Sequence, residues 1–289
     1  LGLVGFRLVG EALGPAGYGA GMLWYGVAMV FVSTLAVPVA QAVARFVHAA
    51  EFHARPGELL GASLAIVAAA VPVVGLVGAF GGRLIEPADS GSTLGHGALL
   101  VLAFIGESLH AVAAGWLTVQ RRFRSAFLVS VSDGVARVGL VLLLSHATDC
   151  APEIALVAGY AGGALLGGAL GLWLASAGSA PARPSRDCLA RIGTYTAPLA
   201  ASGAIGWAAA SADRYIVGLK ASLETVGAYV AGVALGHRAA LLAGSMTETW
   251  FRPAVYESIE RGDAAALRRA LARWTATLLA LLAAGNLML

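Results

Sequence analysis

The chain has 289 residues, 58% of them hydrophobic and only 12% charged, with a formal net charge of +3. Soluble domains are about half apolar and about a quarter charged, so this composition excludes a water-soluble cytosolic enzyme and a disordered chain, and the length excludes a small disulfide scaffold. The 38 glycines follow no G-X-Y period, which excludes collagen.

Taken in chain order, the apolar runs are long enough to be membrane helices, each needing about 20 mostly apolar residues. Residues 1–12 read as the end of an earlier span. Seven whole spans are predicted at 22–44, 59–80, 97–119, 126–145, 153–176, 195–217 and 225–248, with a further one at 270–289 cut by the chain end. The runs are too long and too continuously apolar for β-barrel strands. Because the chain opens inside an apolar run at Leu1 and stops inside another at Leu289, it reads as an excerpt of a longer protein. The expected fold is all-α and integral to the membrane: a polytopic, two-lobed transporter bundle with seven whole spans and two terminal ones. Residues 1–177 would form the N-terminal lobe, 178–192 a linker and 193–289 the start of the C-terminal lobe. The linker carries Pro181, Pro184 and the arginines Arg183, Arg186 and Arg191. From Pro253 to Trp274 the pattern fits either an amphipathic helix lying on the membrane surface or a solvated connector.

The connecting segments alternate in charge. One set holds 13 of the 19 basic residues, among them Arg45, Arg121, Arg122, Arg124, Arg252 and Arg261. The intervening set holds only Arg83 and Lys220 against Glu86, Asp89, Asp149, Glu153 and Glu224. The positive-inside rule puts the arginine-rich set, the linker included, in the cytoplasm. Glu86 and Asp89 read as part of a solvated outer loop. Cys150 and Cys188 then fall on opposite sides of the membrane and cannot pair. Two lone cysteines make no metal site.

A weak internal repeat is visible. Arg7 to Gly19, through Gly14-Pro15, parallels Arg214 to Gly227, and each is followed by a span ending in a basic segment, at Arg45 and Arg252. Transporters are often built from such repeated bundles.

Ionisable residues inside spans are costly and need a reason. Glu107 and His110 lie three apart on one helix face, and Asp133 and Arg137 four apart on the next span. Asp213 and Arg214 sit near an outer helix end, where Trp207, Ser211 and Arg214 share a stripe. His237, Arg238 and Glu248 lie on the following span. Arg137, Arg214 and Arg238 on the walls of a cavity would attract an anion. Arginine keeps its charge at any working pH and presents a fork of donors that suits phosphate. Glu107, His110, Asp133, Asp213, His237 and Glu248 would supply titratable or cation-binding positions. The bland alternatives are that Asp133 and Arg137 only neutralise each other, that Asp213, Arg214 and Glu248 pair locally or snorkel, and that His110 only bonds a neighbouring backbone.

Several chemistries have no motif here: no GxxxxGK[ST] phosphate loop, no H-E-x-x-H, no paired CxxC and no G-x-S-x-G. Catalytic residues, metal ligands and cofactors are therefore not expected. Clusters such as Gln120-Arg121-Arg122-Phe123-Arg124 sit at span ends and read as orientation signals and anionic-lipid contacts, not nucleic-acid sites.

Three motifs carry a family resemblance. Leu13-Gly14-Pro15-Ala16-Gly17-Tyr18-Gly19 resembles the LGPxxYG turn of polysaccharide flippases, the Wzx-type members of the multidrug/oligosaccharidyl-lipid/polysaccharide exporter superfamily. Ala197-Pro198-Leu199 with Ser211-Ala212-Asp213-Arg214-Tyr215-Ile216-Val217-Gly218 is similar to the start of that family's second lobe. Glu260-Arg261-Gly262-Asp263 with Leu267-Arg268-Arg269-Ala270-Leu271 resembles its basic helix before the ninth span. The resemblance covers the whole chain, as the first lobe and about half of the second. It departs at Glu11, where the family often has a basic residue. It implies a bacterial inner-membrane transporter, not an enzyme, that flips an oligosaccharide on a polyprenyl diphosphate carrier for cell-surface polysaccharide such as lipopolysaccharide O-antigen. Proton or sodium coupling and partnership with other polysaccharide assembly proteins would follow. Two alternatives are a cation-coupled multidrug exporter of the same architecture and, less favoured because the outer segments are short, a membrane-embedded glycosyltransferase or polymerase.

Overall fold

A computed structural model describes residues 2–47, 49, 56–85, 93–177 and 180–288, which form helices with no strand among them. In order these are α1 (Gly2–Phe31), a π-helical turn (Val32–Ala36), α2 (Val37–Phe46), α3 (Pro56–Ile85), α4 (Thr93–Val119), α5 (Phe123–Ala147), α6 (Pro152–Ser176), α7 (Arg186–Lys220), α8 (Leu223–Glu260) and α9 (Ala264–Met288). Among the described residues, five stretches are long and apolar enough to cross a membrane: Arg7–Phe46, Pro56–Ala79, Gly97–Val119, Phe123–Ala147 and Pro152–Ser176. The chain is of the multi-pass, all-helical membrane type.

Two predicted whole spans fall outside those five. The 195–217 run lies in α7, where Ser202, Ser211, Asp213 and Arg214 dilute the apolar character. The 225–248 run lies in α8, whose apolar stretch is Leu223–Val233 and whose side chains from 234 to 243 lie outside the described residues. Glu86 and Asp89 also lie outside them.

Helix α1 is interrupted at Gly14, where φ is 69° and ψ 165°, a conformation open to glycine, and Pro15 then starts the next helical stretch. A Cβ on Gly5 would fall 2.5 Å from Val138 Cγ2, deep in α5, and one on Gly17 would fall 2.4 Å from the Cβ of Pro152, at the head of α6. Since α5 and α6 are joined by a short turn, the two limbs of α1 run down together from the same end. Gly14-Pro15 is thus the tip of a helical hairpin.

Close approach of backbones holds α4, α5 and α6 together. Gly159, Gly163, Gly167 and Gly171 line one face of α6 at a spacing of four, and α5 lies directly on them. A Cβ at Gly159 would sit 2.7 Å from the Val141 nitrogen, at Gly163 2.6 Å from the Arg137 nitrogen, and at Gly167 2.7 Å from the Asp133 Cβ. Small-residue stripes of this kind replace the hydrophobic effect as the source of packing between membrane helices. On the other side of α6, Gly168 meets Leu109 of α4 at 2.8 Å by the same measure.

Helices α1 to α6 meet α7 and α8 at both ends of the bundle. At one end Gly19 and Gly227, equivalent positions in the sequence repeat, pack on each other reciprocally. A Cβ on Gly19 would lie 2.3 Å from the Leu223 carbonyl oxygen, and one on Gly227 would lie 1.9 Å from the Pro15 carbonyl oxygen. Each glycine rests on the carbonyl four residues before the other, as two related elements do across a local two-fold axis. The opposite end gathers the arginine-rich segments. There Arg45 pairs with Glu260, and Arg121 pairs with Glu257 at 2.6 Å. The 180–185 segment is pinned to α3 by Ala182 N–H to the Gly57 carbonyl at 2.8 Å and Ser185 N–H to Glu58 Oε1 at 2.8 Å.

Two boundaries differ from the sequence reading. Helix α7 starts at Arg186, inside the segment read as linker, because Ser185 caps it: its Oγ accepts from the Cys188 N–H at 3.2 Å, and Asp187 adds an acid to the first turn. From Pro253 to Trp274 there is no single surface helix. Helix α8 continues to Glu260, a turn follows with Gly262 at φ 65°, and Asp263 caps α9 by accepting from Ala265 N–H at 3.0 Å and Ala266 N–H at 2.8 Å. At 38 residues α8 is about 57 Å long at 1.5 Å per residue, so it outruns a bilayer core and its last turns project beyond it.

Candidate functional site

The ionisable residues of α4 and α5 converge. Arg137 reaches back one turn to Asp133, its Nε donating to Oδ1 at 2.8 Å and Oδ2 at 2.9 Å. Its Nη1 donates to Tyr25 Oη at 2.6 Å and lies 2.5 Å from Glu107 Oε1 on α4. Tyr25, from α1, donates its own proton to Glu107. Tyr160 of α6 completes the shell: its ring is edge-on to Tyr25 at 5.1 Å, and the guanidinium carbon of Arg137 stands 5.7 Å from its centre. The side chains of Arg137, Glu107 and Asp133 are only 16%, 10% and 13% exposed. Four helices thus contribute to one buried polar cluster, and the glycine face of α6 brings α5 close enough to make it. One guanidinium against two carboxylates leaves a formal charge of −1. Such a group is held by its mutual hydrogen bonds, since an unpaired charge at this depth would be strongly destabilising.

His110 lies at the edge of the cluster. Its buried Nδ1 has no hydrogen-bond partner among the described residues, and it flanks Gly167 together with Asp133.

Tyr25 also lines a cavity of about 460 Å³ between α1 and α7, with Met29 and Ser33 on one wall and Trp207, Ser211 and Arg214 on the other. The stripe of Trp207, Ser211 and Arg214 read from the sequence is this wall. Arg214 has no ion-pair partner among the described residues, whereas its neighbour Asp213 is engaged: Oδ2 accepts from Tyr229 at 2.6 Å and Oδ1 from the Arg214 N–H at 2.8 Å. Tyr215 ties α7 to α1 by donating to the Leu23 carbonyl at 2.8 Å. The π-helical turn passes beside the cavity. There Gly203 lets α7 approach, since a Cβ would sit 2.1 Å from the Ser33 carbonyl oxygen. Such turns inside helices recur at functional sites.

Glu248 lies elsewhere. It pairs with Arg252 one turn on, and both line a separate cavity of about 320 Å³ with Gln41, Thr118 and Ser245 toward the arginine-rich end. The side chains of His237 and Arg238 lie outside the described residues. Glu11 forms an exposed pair with Arg7 at 2.7 Å. The two cysteines are free. No grouping of three or more histidine, cysteine or acidic side chains that would hold a metal is found among the described residues.

The sequence alone does not single out Tyr25, Tyr160 or Glu58. Tyr25 and Tyr160 are single aromatics within apolar runs, and nothing local marks them. The four-residue spacing of Gly159, Gly163, Gly167 and Gly171 was visible, and it marks the face of α6 on which the cluster forms. No protein family, curated protein or solved structure matches the chain.

Proposed function

We propose that the chain is the first lobe and the beginning of the second lobe of a flippase for lipid-linked oligosaccharides, similar to the Wzx-type polysaccharide flippases, working by alternating access in a bacterial inner membrane. The observation that carries the reading is the cavity between α1 and α7, lined by Tyr25 of α1 and by Trp207 and Arg214 of α7, the arginine having no ion-pair partner among the described residues. A diphosphate would be held there by the fork of Arg214, a site charged at every working pH. Arg238, on the neighbouring helix, is the second candidate for the same headgroup. Arg137 is assigned differently. With its donors committed to two carboxylates and a tyrosine, it belongs to the coupling cluster and not to the anion site.

Coupling would act through Tyr25, which belongs to both places. Counted formally, the cluster sets one guanidinium against two carboxyl groups, which leaves room for one proton or one monovalent cation. Uptake at Glu107 or Asp133 would loosen the hold on Tyr25 and Arg137, and so alter the cavity wall. His110 adds a second titratable group beside Asp133. In this reading the protein is not an enzyme. It needs no cofactor, and its partners are membrane lipid, the lipid-linked glycan and other polysaccharide assembly proteins.

The negative cluster also fits a cation-coupled multidrug exporter. The two readings part at Arg214, which favours an anion and repels a cationic drug. The test is flipping of a polyprenyl-diphosphate oligosaccharide in proteoliposomes. A charge-assisted hydrogen bond is worth about 1.5–3 kcal/mol, so Arg214→Ala is expected to slow flipping by roughly tenfold to a hundredfold. Unchanged flipping in Arg214→Ala and in Arg214→Ala/Arg238→Ala would refute the headgroup site.

A further inference from the structure

On the flank of the bundle, away from the α1/α7 cavity and sharing no residue with it, a groove of about 1010 Å³ runs between the head of α5 and the far half of α8. Its walls are apolar and open to the surroundings: Phe127 is 67% exposed, Trp250 73% and Met246 55%. At the arginine-rich end the groove adjoins a second pocket, of about 490 Å³, lined by Arg121, Arg122, Phe123, Arg124 and Ser125. Arg121 and Phe123 belong to both. An apolar trough thus opens directly onto a basic pocket, and from Phe123 to Ser130 the trough follows α5 for about 10 Å at 1.5 Å per residue.

The three arginines are not equivalent. Arg122 donates to the Leu174 carbonyl at 2.8 Å and braces the turn onto α6. Arg121 keeps one side on Glu257 at 2.6 Å yet remains 58% exposed, and its backbone sits at φ 58°, where a glycine would be unstrained. Arg124 has no ion-pair partner among the described residues. The left-handed Arg121 ends α4 in a Schellman cap, its N–H donating to the Thr118 carbonyl at 2.9 Å and that of Arg122 to the Leu117 carbonyl at 2.9 Å, and this cap sets Arg121 and Arg124 on either side of Phe123 at the mouth of the groove.

We propose that this paired groove and pocket bind one anionic phospholipid of the surrounding bilayer, its phosphate between Arg121 and Arg124 and an acyl chain along Phe127, Met246 and Trp250. The lipid would bridge the lobes, because α5 belongs to the first and α8 to the second. The occupant is fixed by charge complementarity. A zwitterionic lipid would gain the apolar contacts but little from the arginines, and a soluble anion would gain only the latter. Each basic residue near a membrane surface contributes about 1 kcal/mol toward an anionic lipid, or roughly fivefold in affinity.

Trp250 is the reporter. The protein is reconstituted in vesicles containing increasing mole fractions of phosphatidylglycerol or phosphatidylcholine with brominated acyl chains, and the quenching lost on Trp250→Phe isolates its signal from the other five tryptophans. The expected result is half-quenching at a mole fraction roughly 25-fold lower for phosphatidylglycerol, about fivefold for each of the two arginines. Arg124→Gln, which breaks no ion pair among the described residues, is expected to reduce that preference about fivefold, and Arg121→Gln/Arg124→Gln to abolish it while quenching by phosphatidylcholine persists. Equal quenching by the two lipids, or a preference that survives both variants, would overturn the proposal. So would displacement of brominated phosphatidylglycerol by equimolar polyprenyl diphosphate, which would give the groove to the carrier lipid. None of these outcomes depends on whether Arg214 supports flipping.

Discussion

Adding one methyl group at Gly163 tests whether the glycine face of α6 sets the position of α5 and, through it, the buried cluster. In Gly163→Ala the new Cβ would stand 2.5 Å from Arg137 Cγ, 2.6 Å from its nitrogen and 2.8 Å from its Cα. Ordinary carbon contacts are about 3.5–4.0 Å. Two of the three atoms are backbone and cannot swing aside, so α5 has to retreat by close to 1 Å. Overpacking of this kind costs about 1–3 kcal/mol, and a rigid backbone contact belongs at the upper end. Exchanging glycine for alanine in a helix returns roughly 0.5–1 kcal/mol, which leaves a net loss of about 2 kcal/mol. Gly134→Ala on α5 is the matched control: nothing lies within 4 Å of its Cβ, so only the helix term remains, and a gain of about 0.5–1 kcal/mol is expected. Equilibrium unfolding in detergent micelles should therefore order the proteins Gly134→Ala, wild type, Gly163→Ala, with about 3 kcal/mol from first to last. A Gly163→Ala protein as stable as wild type would refute the reasoning.

Two further outcomes follow from the geometry. Arg137→Gln leaves Glu107 and Asp133 buried without their cation and should cost about 3–5 kcal/mol in the same assay. Adding Glu107→Gln and Asp133→Asn should recover much of that loss, and failure to recover any would show that Arg137 acts by packing alone. Burial, with the nearby Glu58 carboxylate second, pushes the Cys188 thiol up from 9.0 to about 11. Maleimide at pH 8 should therefore modify the partly exposed Cys150 well before Cys188. A raised thiol value favours the folded state while the thiol is protonated, so this contribution is complete below about pH 9 and is lost as pH rises toward 11. Equal labelling of the two cysteines at pH 8 would contradict the burial.

How much of this was legible beforehand differs from place to place. Hydropathy marked α1 to α6 well, because these helices are apolar nearly throughout. It fitted α7 less well, since a wall that carries Trp207, Ser211 and Arg214 is made of the residues that lower hydropathy. The Asp133–Arg137 contact followed from a spacing of four on one helix. That Glu107 on the preceding helix joins it, and that Tyr25 closes the group, depends on how α1, α4, α5 and α6 turn toward one another, which no local pattern states. Arg45 and Arg121, from two of the arginine-rich segments, meet at one end of the bundle beside Glu260 and Glu257. The end of α8 shows a signal that was present but outweighed. Gly262-Asp263 is a helix stop followed by a cap, yet the basic amphipathic pattern around it resembled a single surface helix. The reciprocal seat of Gly19 and Gly227 gives the faint sequence repeat a physical counterpart, since the two residues occupy matching places across the seam.

That seat also makes the two ends of the seam mechanically unlike. Where Gly19 and Gly227 meet, main chain rests on main chain, with no rotamer to adjust and no slack to take up. At the other end, beside the main-chain bond of Ala182 to Gly57 and the buried Cys188 and Ile192, the joint also includes the charged pairs Arg45–Glu260 and Arg121–Glu257, long side chains on both sides. These tethers stretch, swap partners and weaken with added salt. The part of the joint that responds to ionic strength therefore lies at the arginine-rich end, while the glycine seat, made of uncharged main chain, is indifferent to it.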